Sequence, residues 1–229
     1  NSISQINQDD INKAVWNACD TFRGVISADT YKDFILTMLF LKYISDVYKD
    51  EYNKLVEQYG GSGNENPELI HAMMSKQRFV LPEGASFWDL YEQRHQAGNG
   101  QRIDQALHAL EEANGTKLKN VFQDISFNTD KLGQEKQKNE LLRHLLEDFG
   151  KDILNLSAER VGSLDVIGNA YEFLIKHFAA GSGATAGEFY TPPEVSDLLA
   201  TILAPVEGDQ ICDPACGSGN FLTETYISL

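Results

Sequence analysis

The sequence predicts a mainly α-helical N-terminal domain followed by the truncated start of an α/β domain. Three observations carry that expectation. Apolar residues recur at spacings of three and four through most of the first 160 positions, the period that lays one face of a helix on a core. A polar, glycine-rich break, Gly60-Gly61-Ser62-Gly63-Asn64-Glu65-Asn66-Pro67, interrupts them as a loop. Further on, Asp209 to Asp213 reads as a short buried strand built on Ile211 and Cys212. It runs straight into Pro214-Ala215-Cys216-Gly217-Ser218-Gly219, and Asn220-Phe221-Leu222 then opens a helix. Strand, glycine turn and helix is a unit of doubly wound α/β domains.

The first helix is predicted from Ile11, Val15, Ala18, Cys19 and Phe22, with Gly24 as its stop. Ser27 or Asp29 caps a second, longer helix. Its Tyr31, Phe34, Ile35, Met38, Leu41, Ile44, Val47, Tyr48, Tyr52, Leu55, Val56 and Tyr59 form a broad apolar stripe expected to face the core. After the break, shorter helices are predicted around 68–76, 86–95, 101–113 and 134–149, with Gly115 and Gly150 as stop residues. Between the last two, Val121, Phe122, Ile125 and Phe127 are expected to plug a loop into the core. A further helix runs from Ser163 to Ala179 with Leu164, Ile167, Ala170, Tyr171, Leu174, Ile175 and Phe178 inward, ended by Gly181-Ser182-Gly183. The aromatic residues of this region, Trp16 and Trp88 among them, mostly keep helical periodicity and so mark a packed core rather than a base-stacking surface.

With 42% hydrophobic and 23% charged residues the chain can bury one or two cores, which excludes disordered and collagen-like classes. The longest apolar runs, broken at Thr37, are far below the roughly 20 residues of a membrane helix. No basic stretch followed by an apolar core marks a secretory signal. Three cysteines, Cys19, Cys212 and Cys216, make an odd count without paired spacing and fit a reducing cytoplasm. Cys212 and Cys216 read as small buried packing residues, and no His or Cys cluster near them suggests a metal. The net charge of −15 argues against this chain alone gripping nucleic acid, since non-specific affinity comes from Lys and Arg on phosphates. From Val161 onward the only Lys or Arg is Lys176, against carboxylates at 165, 172, 188, 194, 197, 207, 209, 213 and 224. Most of these read as a solvated acidic surface.

Two segments carry chemistry. In the glycine turn, Gly217 and Gly219 permit positive φ and let the backbone approach a ligand. The third glycine of a dinucleotide fingerprint would fall at 222, where Leu222 stands, and the Walker pattern lacks its Lys-Ser or Lys-Thr pair. Asp213 at the strand end suits a ligand with a cationic portion and would repel a pyrophosphate. The second segment is Gly187-Glu188-Phe189-Tyr190-Thr191-Pro192-Pro193-Glu194-Val195. Thr191 as N-cap, Pro192 at the first helical position and Glu194 three residues after the cap make a capping box for a helix to about Leu203. Two prolines remove two free amides, so this helix end is a poor anion site and ligand contact falls to the Phe189 and Tyr190 rings and nearby backbone.

Together the two segments resemble those of adenine-specific DNA methyltransferases, most closely the modification subunit of type I restriction-modification systems. In that family a Gly-Glu-Phe-Tyr-Thr-Pro-like motif precedes an Asp-Pro-Ala-Cys-Gly-Ser-Gly-like motif, as here. The helical segment is similar to the family's N-terminal domain, and Asp165 with Tyr171-Glu172-Phe173-Leu174 to its link between the domains, so the resemblance covers essentially the whole chain. It implies that residues 1–160 are a helical domain for assembly with partners and DNA. Residues 161–229 are then the incomplete start of a Rossmann-like, S-adenosylmethionine-dependent methyltransferase domain. By the same resemblance Glu188, Phe189, Tyr190, Thr191, Pro192 and Pro193 border the methionine end of S-adenosylmethionine. Asp213, Pro214, Gly217, Ser218, Gly219 and Asn220 form its floor.

The implied reaction is methyl transfer to the exocyclic amine of adenine. A DNA specificity subunit chooses the target, and a restriction (translocase and nuclease) subunit and a second modification subunit complete the assembly on double-stranded DNA. The family's catalytic motif, Asn or Asp followed by Pro-Pro and an aromatic, holds the flipped base. It does not occur here: Thr191-Pro192-Pro193-Glu194 has Thr for the amide or carboxylate and Glu for the ring. In the family it follows the glycine loop, so it is expected beyond Leu229. Residues 1–229 alone are expected to be inactive, with no catalytic residue or metal ligand assigned. A second reading makes the chain a binding module whose helical domain docks partners. Leu222 and Asp213 disfavour a third, a nucleotide-dependent oxidoreductase.

Overall fold

Asn7 opens the first helix as short polar side chains do, its carboxamide oxygen accepting the Asp9 amide at 3.0 Å from extended backbone. The computed structural model describes residues 6–59, 66–161, 165–182, 191–216 and 219–227. Helix α1 spans Gln8–Ala18 and continues into a 3-10 turn, Cys19–Thr21. Ile11, Val15, Ala18, Cys19 and Phe22 are all fully buried, as their period requires.

Helix α2 (Ala28–Tyr59) follows Ser27, whose carbonyl accepts the Thr30 and Tyr31 amides. Phe34, Ile35, Met38, Leu41 and Ile44 are buried, and Phe34 stacks on Phe22 and meets Phe127 edge-on at 4.9 Å. The far end of the stripe departs from expectation, with Tyr52 and Val56 exposed. A helix of 32 residues is about 48 Å long, well beyond the roughly 30 Å width of a small domain. Its last turns therefore meet only a satellite cluster, in which Leu55 packs on Ile70 and Met74 of α3 (Pro67–Met74). Of the glycine-rich break, residues 60–65 lie outside the described residues, and Asn66 caps α3 by accepting the Leu69 amide.

Helices α4 (Phe87–Glu92), α5 (Asn99–Ala113) and α6 (Glu135–Phe149) complete the main bundle. A reciprocal capping box between Ser86 and Asp89 opens α4, and the Phe87 amide donates to the Ser45 hydroxyl, docking α4 on α2. Asp104 of α5 anchors the following loop by accepting the Phe127 amide at 2.7 Å and the Ser126 hydroxyl at 2.6 Å. The loop lies so close that a Cβ on Gly100 would stand 2.6 Å from the Phe127 carbonyl oxygen. Phe122 and Phe127 plug into the core, while Val121 is 53% exposed and Ile125 half-buried. Gly150 ends α6 where the sequence places it, yet its φ of −77° is ordinary. An added Cβ there would overlap the Tyr91 ring, so close packing demands the glycine. A 3-10 turn, Asp152–Leu154, then leads to the short α7 (Ala158–Val161).

By its internal contacts the chain divides into residues 1–164 and 165–229. The second unit holds α8 (Val166–Ser182), α9 (Pro193–Leu203) and α10 (Asn220–Ile227). Asp165 accepts the Gly168 amide, and this local bond marks the start of α8. The helix begins after the predicted Ser163, and it runs through Gly181 rather than ending there. Ser163, Leu164 and Gly183 lie outside the described residues. Val166, Ala170 and Leu174 are buried.

No strand occurs among the described residues. The predicted strand at Asp209 to Asp213 is irregular, Ile211 is 39% exposed, and Cys212 and Cys216 are exposed rather than buried. An extended segment becomes a strand only when a neighbour takes its backbone N–H and C=O groups, and among the described residues none pairs with this one.

Candidate functional site

Local chemistry decides how α9 begins. Pro192 stands directly before Pro193, and a residue before proline is driven out of the helical region. Pro192 accordingly takes φ −54° and ψ 142° and serves as N-cap, with Pro193 the first helical residue. This corrects the expected start: Thr191 sits one position too far out, no side chain caps the helix, and the capping box with Glu194 does not form. The Pro192 carbonyl instead accepts the Val195 and Ser196 amides at 3.0 and 3.1 Å. Thr191 is exposed and Pro192 half-buried.

Helix α9 ends at Ala204, whose left-handed backbone (φ 45°) returns its amide to Ala200. A turn through Gly208 follows, closed by the Val206 amide donating to Asp209 at 3.0 Å. In the glycine loop, half-buried Asp213 accepts the Ala215 amide at 3.0 Å, folding the chain back at Pro214, which is exposed. The Gly219 amide donates to the Cys216 carbonyl at 2.7 Å. Gly219 has φ +77°, and an added Cβ would meet nothing within 4 Å. Backbone conformation, not crowding, therefore calls for glycine here, and the space it faces is open. Its carbonyl accepts both the amide and the hydroxyl of Thr223, so Gly219 anchors the first turn of α10, which Asn220 begins.

The two helices opened by these segments pack on one another, with Ser196 and Ala200 of α9 and Thr225 of α10 all buried. Small side chains at a helix seam allow close approach of the backbones. Their signal in the sequence is the pair of small residues four apart on α9, one turn inside the proline pair. The Thr225 hydroxyl donates to the Phe221 carbonyl at 2.7 Å, while the buried Ser196 hydroxyl has no hydrogen-bond partner among the described residues. Of the residues singled out from sequence, Thr191, Pro192, Pro193, Asp213, Pro214, Gly219 and Asn220 thus lie at the openings of two packed helices. Glu188, Phe189, Tyr190, Gly217 and Ser218 lie outside the described residues.

Among the described residues no group of His, Cys, Asp or Glu is placed to hold a metal ion, and no helix is long and apolar enough to cross a membrane. Titratable groups shifted by burial lie in the first unit. Burial pushes the Cys19 thiol up to about 12, and burial lowers the Lys42 ammonium below its usual value against the opposing pull of Asp46.

The model for the HsdM N-terminal domain matches residues 11–149, and that for the N-6 DNA methylase matches residues 162–229. The chain is 28% identical to the type I restriction enzyme MjaIX methylase subunit of Methanocaldococcus jannaschii, over 94% of this chain and 39% of that protein. It is 27% identical to the MpnII methylase subunit of Mycoplasma pneumoniae, over 93% of this chain and 43% of that one. The chain therefore spans about two fifths of the length of these relatives. Its fold is similar to that of the type I restriction-modification methyltransferase subunit of Streptococcus thermophilus. The TM-score is 0.73 at 22% identity, over 97% of this chain and 50% of the solved one. With the N-terminal model covering well over half of its residues, and relatives and fold pointing the same way, the chain belongs to the family of type I restriction-modification methylase subunits.

Proposed function

We propose that the chain is part of a modification subunit that transfers the methyl group of S-adenosylmethionine to the exocyclic amine of adenine in DNA. The observation that carries this reading is the N-6 DNA methylase match over residues 162–229, which contains both motifs in the family's order. Bound S-adenosylmethionine supplies the sulfonium methyl. Asp213 offers negative charge to the cofactor's cationic portion, and Gly219 presents bare backbone to open space. Thr191, Pro192 and Pro193 border the site at the start of α9, with Glu188, Phe189 and Tyr190 before them. Pro214, Gly217, Ser218 and Asn220 complete the floor. A Rossmann-like sheet supports the loop, and the exposed apolar residues of α9, Leu198, Ile202 and Leu203, are the face on which such a sheet packs.

In this reading residues 1–160 assemble the complex and residues 161–229 begin the catalytic domain. The acidic balance leaves the grip on double-stranded DNA to partners: a specificity subunit that selects the sequence, a restriction subunit and a second modification subunit. The test is tritium transfer from labelled S-adenosylmethionine to DNA by the complete subunit with its specificity partner, followed by nucleoside analysis. N6-methyladenine is the expected product, and methylcytosine alone or no transfer overturns the assignment. Gly219→Val in that complex should abolish cofactor binding and leave the helical domain's unfolding transition in place. Unchanged binding removes the floor assignment.

A further inference from the structure

We propose that the buried Lys42–Asp46 pair of α2 is a clasp that holds the connector between α6 and α7 in one register and determines where that connector opens. Lys42 is fully buried and Asp46 nearly so, one helical turn apart on α2. The Lys42 ammonium donates to the Asp46 carboxylate and, at 2.6 Å, to the Leu154 carbonyl. The Asp46 carboxylate also accepts the Leu156 amide at 2.8 Å and the Trp88 indole N–H at 3.0 Å. The clasp thus presents one donor and one acceptor to backbone groups two residues apart on an extended stretch, whose middle residue, Asn155, has φ −75° and ψ 105°. Side-chain alternation agrees with this register: Leu154 and Leu156 are buried, while Ile153 is exposed. A slip of one residue would turn both leucines out of the core.

A buried ion pair adds little net stability over apolar side chains of the same volume, but it discriminates strongly among arrangements, because any register that leaves a charge unpaired is costly. Here it serves the connector rather than the bundle. The connector's other hydrogen bonds, such as the Leu154 amide to the Lys151 carbonyl and the Ser157 amide to the Asn155 side chain, are local ones, and among the described residues its hydrogen bonds to α2 are those of the clasp. A cavity of about 330 Å³ borders the clasp, lined by Lys42, Asp46, Lys49, Asp50, Trp88 and Asn155 among others. Water entering there offers competing partners, which makes this the point of opening. Release would spread along the chain to α7 and to Ile6, whose amide donates to the Arg160 carbonyl at 3.0 Å.

Amide hydrogen exchange on the 229-residue chain tests the clasp. In the volume-conserving double variant Lys42→Met/Asp46→Leu, protection at Ile6, Leu156, Arg160 and Val161 is expected to fall by about 30-fold, while α5 and α6 amides hold within about threefold. Tryptic cleavage after Arg160 should accelerate in parallel. Unchanged protection at those four amides overturns the proposal. So does an even loss of protection across residues 6–161, which would make the pair a general stabiliser. Should the double variant not fold, Trp88→Phe decides: it removes one bond to Asp46 and is expected to loosen the same four amides by about threefold and no others. No local change there overturns the clasp.

Discussion

The two units of this chain handle apolar residues in opposite ways. In the first, apolar side chains from α1, α2, α5 and α6 are buried, and polar side chains such as Asp104, Ser45 and Asn66 close the loops and helix ends. In the second, Val195, Leu198, Leu199, Ile202, Leu203, Val206, Ile211 and Tyr226 are exposed, and among the described residues the buried ones are Val166, Ala170 and Leu174 of α8 and the small residues Ser196, Ala200 and Thr225 of α9 and α10. The lesson is that motif and core are separable. The described parts of the two motif segments border helices rich in exposed apolar residues, while the region without a chemical motif has the finished interior.

The largest test of that contrast is a pair of leucines. Leu142→Ala, at a fully buried position of α6, should cost about 3 kcal/mol in denaturant unfolding. Leu198→Ala, 57% exposed on α9, should change it by less than about 0.5 kcal/mol. Equal effects would erase the distinction between the units. Next comes Gly150→Ala, whose new Cβ must displace the Tyr91 ring. It should cost about 2 kcal/mol despite an allowed backbone, and a neutral result would show that the contact between α6 and α4 yields.

The cysteines sharpen the comparison through pH. Burial holds the Cys19 thiol at about 12 against a usual 9.0, so the native state keeps a proton that the unfolded state releases. Stability from this residue is complete below pH 9 and lost as pH rises toward 12, by about 1.4 kcal/mol per pH unit inside that window. Cys19→Ala should remove that alkaline slope in unfolding midpoints taken between pH 9 and 11. At pH 8, Ellman's reagent should titrate exposed Cys212 and Cys216 quickly and Cys19 only on unfolding. Three fast thiols would mean that the first unit is not closed around α1. The smallest effect belongs to Ile202→Ser, at 70% exposure. Unfolding should shift by less than about 0.5 kcal/mol, while binding of a hydrophobic dye falls measurably.

Helical periodicity made α1, α2, α5 and α6 legible because it is a local property: residues three and four apart share a face whatever that face later meets. The glycines were legible as positions but not as reasons. Gly150 answers to a ring some sixty positions earlier in the chain, and Gly219 to its own backbone. The capping box failed on a local rule that the Thr191-to-Glu194 pattern obscured, the effect of Pro193 on Pro192. The strand at Ile211 failed for a non-local reason, since a strand's hydrogen bonds belong to its neighbours. Likewise the helical period of α2 did not single out Lys42 and Asp46, whose bonds to the Trp88 indole and to residues 154–156 join positions far apart in the chain.

By itself the sequence determined the helical character of the first unit, the acidic balance of the chain and the two ordered motifs that resemble those of the family, because spacing, composition and motif are all written along the chain. Only the tertiary structure decided which parts of the α2 stripe reach a core, that α9 and α10 share a seam at Ser196, Ala200 and Thr225, and that a buried ion pair grips the connector. Each of those depends on surfaces brought together from distant positions, and burial, unlike periodicity, is a property of the meeting and not of either segment alone.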